Sequence, residues 1–168
     1  MKRLVADTGP ILHLHEAGAL HLLPLIGEVF VPPLVLAELR VHAPRLWASE
    51  LPGWVRAMSL SSAASRQAVE WQRAELLHGG EAEALAIARE NGCDWFLTDD
   101  AGARLMAESH GIEVRGSLGV VLWAAARKFI QRDDAEELLK GLEESSLWMS
   151  SRVRNEARAA LLQLFSSE

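Results

Sequence analysis

One cysteine and three lysines are all that this chain of 168 residues holds of either type, and no apolar run approaches the roughly 20 residues needed to span a bilayer. Each scarcity removes a class of function. A lone thiol, Cys93, excludes an internal disulfide and a cysteine-based zinc cluster. Its neighbour Asp94 supplies neither a base nor a positive environment, so Cys93 reads as a small residue in a turn entering a strand rather than a nucleophile. The opening Met-Lys-Arg-Leu-Val-Ala-Asp has two basic residues, but the apolar run behind them is too short for a signal peptide. A cytoplasmic protein without a membrane segment is the expectation. No G-x-x-x-x-G-K-[ST] or G-x-G-x-x-G phosphate loop is present.

Of 17 basic residues 14 are arginine, a good bidentate phosphate partner, though a GC-rich coding sequence gives the same bias. The net charge of −6 argues against a broad basic face for nucleic acid. It leaves room for a metal enzyme acting on nucleic acid, because clustered carboxylates inflate the negative count and bound cations offset it. Hydrophobic residues at 49% and charged residues at 24% are ordinary for a globular chain.

Strands and helices alternate with no clear linker, internal repeat or low-complexity segment. Strands are expected at Arg3 to Ala6, Val29 to Val31, Val55 to Leu60, Trp95 to Thr98 and Ile112 to Val114. Helices are expected at Gly9 to Glu16, Gly18 to Ile26, Leu34 to His42, Ser61 to Leu77, Glu81 to Glu90, Ala101 to His110, Ser117 to Ile130, Asp133 to Glu144 and Arg152 to Phe165. His78-Gly79-Gly80 reads as a break. This alternation predicts a single α/β domain over 1–168, with a central parallel sheet of about four or five strands flanked by helices.

The acids carry the functional reading. Asp7 ends the first strand, where open α/β sheets bind ligands, and also suits the cap of the following helix. Glu38 is the one charge between Val29 and Leu39, beside Leu34 on an apolar helix face. Glu81 falls in a helix's first turn, where negative charge is favourable in any protein, and Glu83 reads as surface. Asp99 and Asp100 follow a buried strand; one of them suits a cap, and two exceed what a cap requires. A parallel sheet brings strand C-termini and helix N-termini to one edge, so the four positions can share a crevice. Carboxylates so close must be protonated or neutralised by a cation, and all-oxygen ligation points to Mg²⁺ or Mn²⁺, one or two ions. Such a site suits phosphodiester cleavage. A haloacid-dehalogenase-like site needs an aspartate where Gly9 stands, and no lysine fits a receiver-like site.

Other features are bland by comparison. His13 and His15 lie two apart and so on different helix faces, as surface or rim residues. The six tryptophans read as core or interface, with base stacking by Trp47 or Trp54 a minor alternative. Arg40 and Arg104 are placed either to pair with the acids or to meet a phosphate.

Four segments in order, Val-Ala-Asp7-Thr-Gly-Pro-Ile, Val-Pro-Pro-Leu-Val-Leu-Ala-Glu38-Leu, Gly-Glu81-Ala-Glu-Ala-Leu-Ala and Trp-Phe-Leu-Thr98-Asp99-Asp100, resemble the PIN-domain family, a metal-dependent ribonuclease fold that includes the VapC-like toxins of bacterial toxin–antitoxin pairs. The run from Gly116 to Trp123 resembles a subgroup found beside small antitoxin genes. The likeness covers roughly residues 1 to 130 as a core and extends to C-terminal helices at about 133–165. It implies that Asp7, Glu38 and Glu81 are metal-site acids, with Asp100, or else Asp99, as the fourth. Thr8 and Thr98 would be supporting hydroxyls. It further implies an RNA substrate, a small antitoxin partner and a homodimer; the alternative is a non-catalytic PIN-like scaffold for protein or RNA binding. Two departures stand out: Gly9 replaces a small polar residue, and Glu81 a frequent aspartate.

Overall fold

The structure is a computed structural model describing residues 1–166. Five strands, β1 (Lys2–Ala6), β2 (Gly27–Val31), β3 (Val55–Ala57), β4 (Trp95–Leu97) and β5 (Val114–Arg115), form one sheet in the order β3-β2-β1-β4-β5. Every neighbouring pair is parallel, as crossovers through helices require. β1 lies at the centre, with Leu4 opposite both Val29 and Trp95.

The helices are α1 (Thr8–Glu16), α2 (Leu23–Ile26), α3 (Pro33–His42), α4 (Ser62–Arg73), α5 (Gly79–Asn91), α6 (Ala101–Ser109), α7 (Ser117–Ala126), α8 (Arg132–Glu144) and α9 (Ser151–Phe165). Side chains alternate along the strands, so the sheet has an apolar layer on each face. Leu4, Ala6 and Leu97 join Ile11, Leu14, Val120 and Leu142 of the α1, α7 and α8 layer. Val5 and Phe96 point the other way, into Leu85, Ile87, Ala103 and Trp71 of the α4–α6 layer. No helix among the described residues is long and apolar enough to cross a membrane.

Several expected boundaries move. The segment at 18–26 is a 3₁₀ turn, Leu20–Leu22, followed by α2, because Pro24 lacks the N–H a continuous helix needs. α4 stops at Arg73, where Glu75 takes a left-handed φ of 57° and Leu76 N donates back to Trp71 O. α7 stops at Ala126 by the same device, with Lys128 at φ 59° and Phe129 N donating to Ala124 O. The edge strand β5 is Val114–Arg115, one step beyond the expected Ile112 to Val114.

A further shift bears on the acids. His78-Gly79-Gly80 does not interrupt the chain: both glycines lie in the first turn of α5. They are there for close approach, since a Cβ on Gly79 would meet Leu34 Cδ2 at 2.6 Å and one on Gly80 would collide with Glu38 Oε2.

Candidate active site

The C-terminal edge of the sheet gathers the N-termini of α1, α5 and α6 around a common cleft. Asp7 sits at its floor. Its backbone N donates to Leu97 O at 3.1 Å, fixing the end of β1 against β4. Its side chain caps α1, Oδ1 accepting from Gly9 N at 3.1 Å, and Oδ2 accepts the Thr98 hydroxyl at 2.5 Å. Asp7 is 3% exposed and Thr98 fully buried. Burial pushes the Asp7 carboxyl well above its ordinary range, Asp99 and Glu81 add to the shift, and Thr98 and Gly9 N oppose it. Capping and membership of the acidic group are therefore both true of this residue.

Glu38 reaches the cleft from the second turn of α3. The Thr8 hydroxyl donates to its Oε2 and Gly80 N to its Oε1 at 3.1 Å. Missing a Cβ, Gly80 lets this carboxylate lie against the start of α5. Glu81, in the same first turn, accepts from His78 N at 3.1 Å. Partial burial raises its pKa, and the charges of Asp100 and Glu38 push the same way against the His78 bond. Glu83, expected at the surface, is half-buried and caps α3 instead, accepting from Leu34 N at 3.2 Å.

The two adjacent aspartates divide their roles. Asp100 caps α6, Oδ1 accepting from Ala103 N at 2.8 Å; Oδ2 has no hydrogen-bond partner among the described residues. Asp99 is saturated. Its Oδ1 accepts from Ser117 N at 2.7 Å, and its Oδ2 accepts from Ser117 Oγ at 2.5 Å and pairs with His13 Nδ1 at 2.7 Å. Asp99 thereby ties α1 to the first residue of α7. A Cβ on Gly116 would sit 2.7 Å from Asp99 Oδ1, so glycine keeps that approach open.

The cleft, about 470 Å³, is lined by Asp7, Glu38, Glu81, Asp99 and Asp100, with Thr8 beside them. Every acid singled out in the sequence is thus brought together. His13 also lines it, with a side chain only 14% exposed, and so belongs to the cleft wall rather than the rim; His15 is exposed. Ser117 is fully buried behind Asp99. Leu147 and Trp148 complete one wall. Periodicity could not single these out, because they meet the acids only through the tertiary fold. Trp47 and Trp54 pack edge-to-face at 5.9 Å and lie half-buried against the core, away from the cleft lining. Arg104 lies 3.9 Å from Glu108 along its own helix.

A family model described as a PIN domain matches residues 3–162, nearly the whole chain. The chain belongs to the PIN-domain family. No curated protein matches it. PIN domains are typically nucleases, hydrolases that generally use divalent metal ions. The donor chemistry of this PIN domain suits such an ion: hard carboxylate oxygens line one cleft, and burial, with a smaller push from neighbouring acids, raises the pKa of Asp7 and Glu81. Among the described residues no three His, Cys, Asp or Glu side chains form a group that could hold a metal ion by themselves.

Proposed function

We propose that this PIN domain is a Mg²⁺- or Mn²⁺-dependent endoribonuclease that hydrolyses RNA phosphodiester bonds. The observation that carries the reading is the convergence of five acids from four separate segments on one open cleft, two of them with raised pKa values. Carboxylates pushed towards protonation by burial, and further by their acidic neighbours, are poised to accept a cation, which offsets both costs. Asp7, Glu38, Glu81 and Asp100 would hold it, directly or through its waters. Asp100, with an oxygen to spare, suits this better than Asp99, whose oxygens accept from Ser117 and pair with His13. When bound, such an ion lowers the pKa of water and offsets charge on a phosphodiester.

The chain's own groups set the geometry. Thr98 and Gly9 N hold Asp7, Thr8 and Gly80 N hold Glu38, and His78 N holds Glu81. Helix N-termini of α1, α5 and α6 face the cleft, and their partial positive charge favours an anionic phosphate despite the acids.

In this reading the protein is the toxin of a type II toxin–antitoxin pair, cytoplasmic, homodimeric and restrained by a small antitoxin protein. Exposed apolar side chains on α9, Leu162 and Leu164, and Phe129 supply surface for such partners. A second reading, a non-catalytic scaffold for protein or RNA, draws on the lack of a preformed three-ligand group among the described residues.

The test is cleavage of structured and unstructured RNA with Mn²⁺, with EDTA, and by the Asp7→Asn and Asp100→Asn variants. Metal-dependent cleavage by the wild type that both variants lose is the expected result. Folded wild-type protein that neither cleaves nor binds Mn²⁺ by calorimetry would move the assignment to the scaffold.

A further inference from the structure

Trp148 is the anomaly at the cleft. Its side chain is 83% exposed, whereas Trp71 and Trp95 are buried and Trp47, Trp54 and Trp123 are half-buried. An indole in water forgoes the burial that makes tryptophan favourable in a fold. Flexibility does not explain it, because the loop that carries Trp148 between α8 and α9 is fixed on both sides. Ser145 Oγ donates to Leu142 O at 2.6 Å and accepts from Leu147 N at 3.1 Å. Ser146 Oγ donates to Glu16 Oε1 at 2.5 Å. Leu147 packs on the core, Met149 is buried with its carbonyl accepting from Arg154, and Ser150 caps α9. Each residue of this loop is anchored except Trp148, whose ring has neither an aromatic neighbour nor a hydrogen-bond partner among the described residues.

The side chain stands on the wall of the same cleft as Asp7, Glu38, Glu81 and Asp100. A chain of net charge −6 with acids lining its cleft gains little affinity for a polyanion from phosphate contacts. Stacking on a base is insensitive to that charge and to base identity, and it needs a rigidly held, exposed aromatic face.

We infer that Trp148 is a binding residue that stacks on an unpaired nucleobase of RNA lying in the cleft, positioning the neighbouring phosphodiester over the acids. This rests on the nuclease reading for what happens next, but the contact itself is separable from cleavage. The competing occupant is protein, a second copy of the chain or another partner covering the indole.

The experiment compares wild type, Trp148→Phe and Trp148→Ala, with melting curves showing that each folds. Binding of an unpaired RNA 8-mer and of a duplex of the same sequence is measured by anisotropy in EDTA, cleavage is measured in Mn²⁺, and oligomeric state by sedimentation. Stacking predicts that Trp148→Ala weakens single-strand binding roughly 5- to 150-fold, that Trp148→Phe keeps much of it, and that duplex binding changes little. Quenching of wild-type tryptophan fluorescence by the 8-mer, absent from Trp148→Ala, would locate the contact. Unchanged single-strand binding and KM in Trp148→Ala overturns the inference, and a change confined to oligomeric state assigns the residue to a protein interface. Wild type that binds RNA through Trp148 yet never cleaves it sinks the nuclease reading alone; cleavage indifferent to Trp148 sinks the stacking alone.

Discussion

His13 Nδ1 lies 2.7 Å from Asp99 Oδ2, a pairing across 86 residues of sequence that fastens the second turn of α1 to the end of the β4 segment. Ser117 donates to the same carboxylate through both N and Oγ, so one aspartate holds the starts of two helix-bearing segments around the cleft. Its neighbour Asp100 caps a helix with one oxygen and keeps the other available.

That division predicts opposite phenotypes for two adjacent conservative changes. Asp99→Asn swaps one acceptor oxygen for a donor among three donors, at a site where the carboxylate is 10% exposed. A buried group left unpaired costs about 1–3 kcal/mol, so urea unfolding should show a loss of that order. Asp100→Asn keeps a good N-cap and should leave stability within about 0.5 kcal/mol, while Mn²⁺ affinity and cleavage fall at least tenfold. The reverse pattern would make Asp99 the ligand.

Gly80→Ala tests whether glycine serves the helix or the acid. Alanine is the better helix former by about 1 kcal/mol, so a purely helical role predicts stabilisation. The added methyl would instead strike Glu38 Oε2 and force the side chain off Gly80 N. The expected result is no gain in melting temperature together with a cleavage rate at least tenfold lower. A stabilised, fully active variant would show that Glu38 does not need this seat.

The glycines also mark where sequence reading stopped. Asp7 and the Asp99-Asp100 pair were legible because each follows a short apolar run, and a parallel sheet sends every strand end to one edge. Glu38 was legible as the single charge on an apolar stretch. Gly79 and Gly80 read as a breaker because their use is steric exclusion by Leu34 and Glu38, more than 40 residues away in the chain. His13 has no signature in periodicity, since its partner lies on another element. Trp148 looked like its five counterparts; only burial separates a core indole from an exposed one.

Cys93 should prove unreactive. Partial burial raises its thiol pKa to about 11, Asp94 adds to the shift, and Arg3 opposes it weakly. At pH 8 almost none is thiolate, so iodoacetamide should modify native protein far more slowly than urea-unfolded protein. RNA cleavage should be unchanged in Cys93→Ser. Rapid native labelling would contradict the burial argument.

Asp7 links the acids to stability through pH. Its carboxyl pKa is raised in the fold, above the ordinary value near 4 of an unfolded chain. Between the unfolded and the folded pKa the native state therefore binds more protons, and stability falls as pH rises through that window. Above it the ionised, buried carboxylate burdens the metal-free protein with its full desolvation and repulsion; below the unfolded value both states are protonated and the penalty is absent. Asp7→Asn removes the charge while its amide oxygen can still accept from Thr98. In EDTA at pH 8 the variant should melt at a higher temperature than wild type, and the gap should close as pH falls towards 4. Adding Mn²⁺ at pH 8 should raise the melting temperature of the wild type alone, because only there does a cation relieve a carboxylate at position 7. A variant less stable than wild type at pH 8 in EDTA would mean that the hydrogen bonds from Thr98 and Gly9, not the charge, decide the energetics of this position.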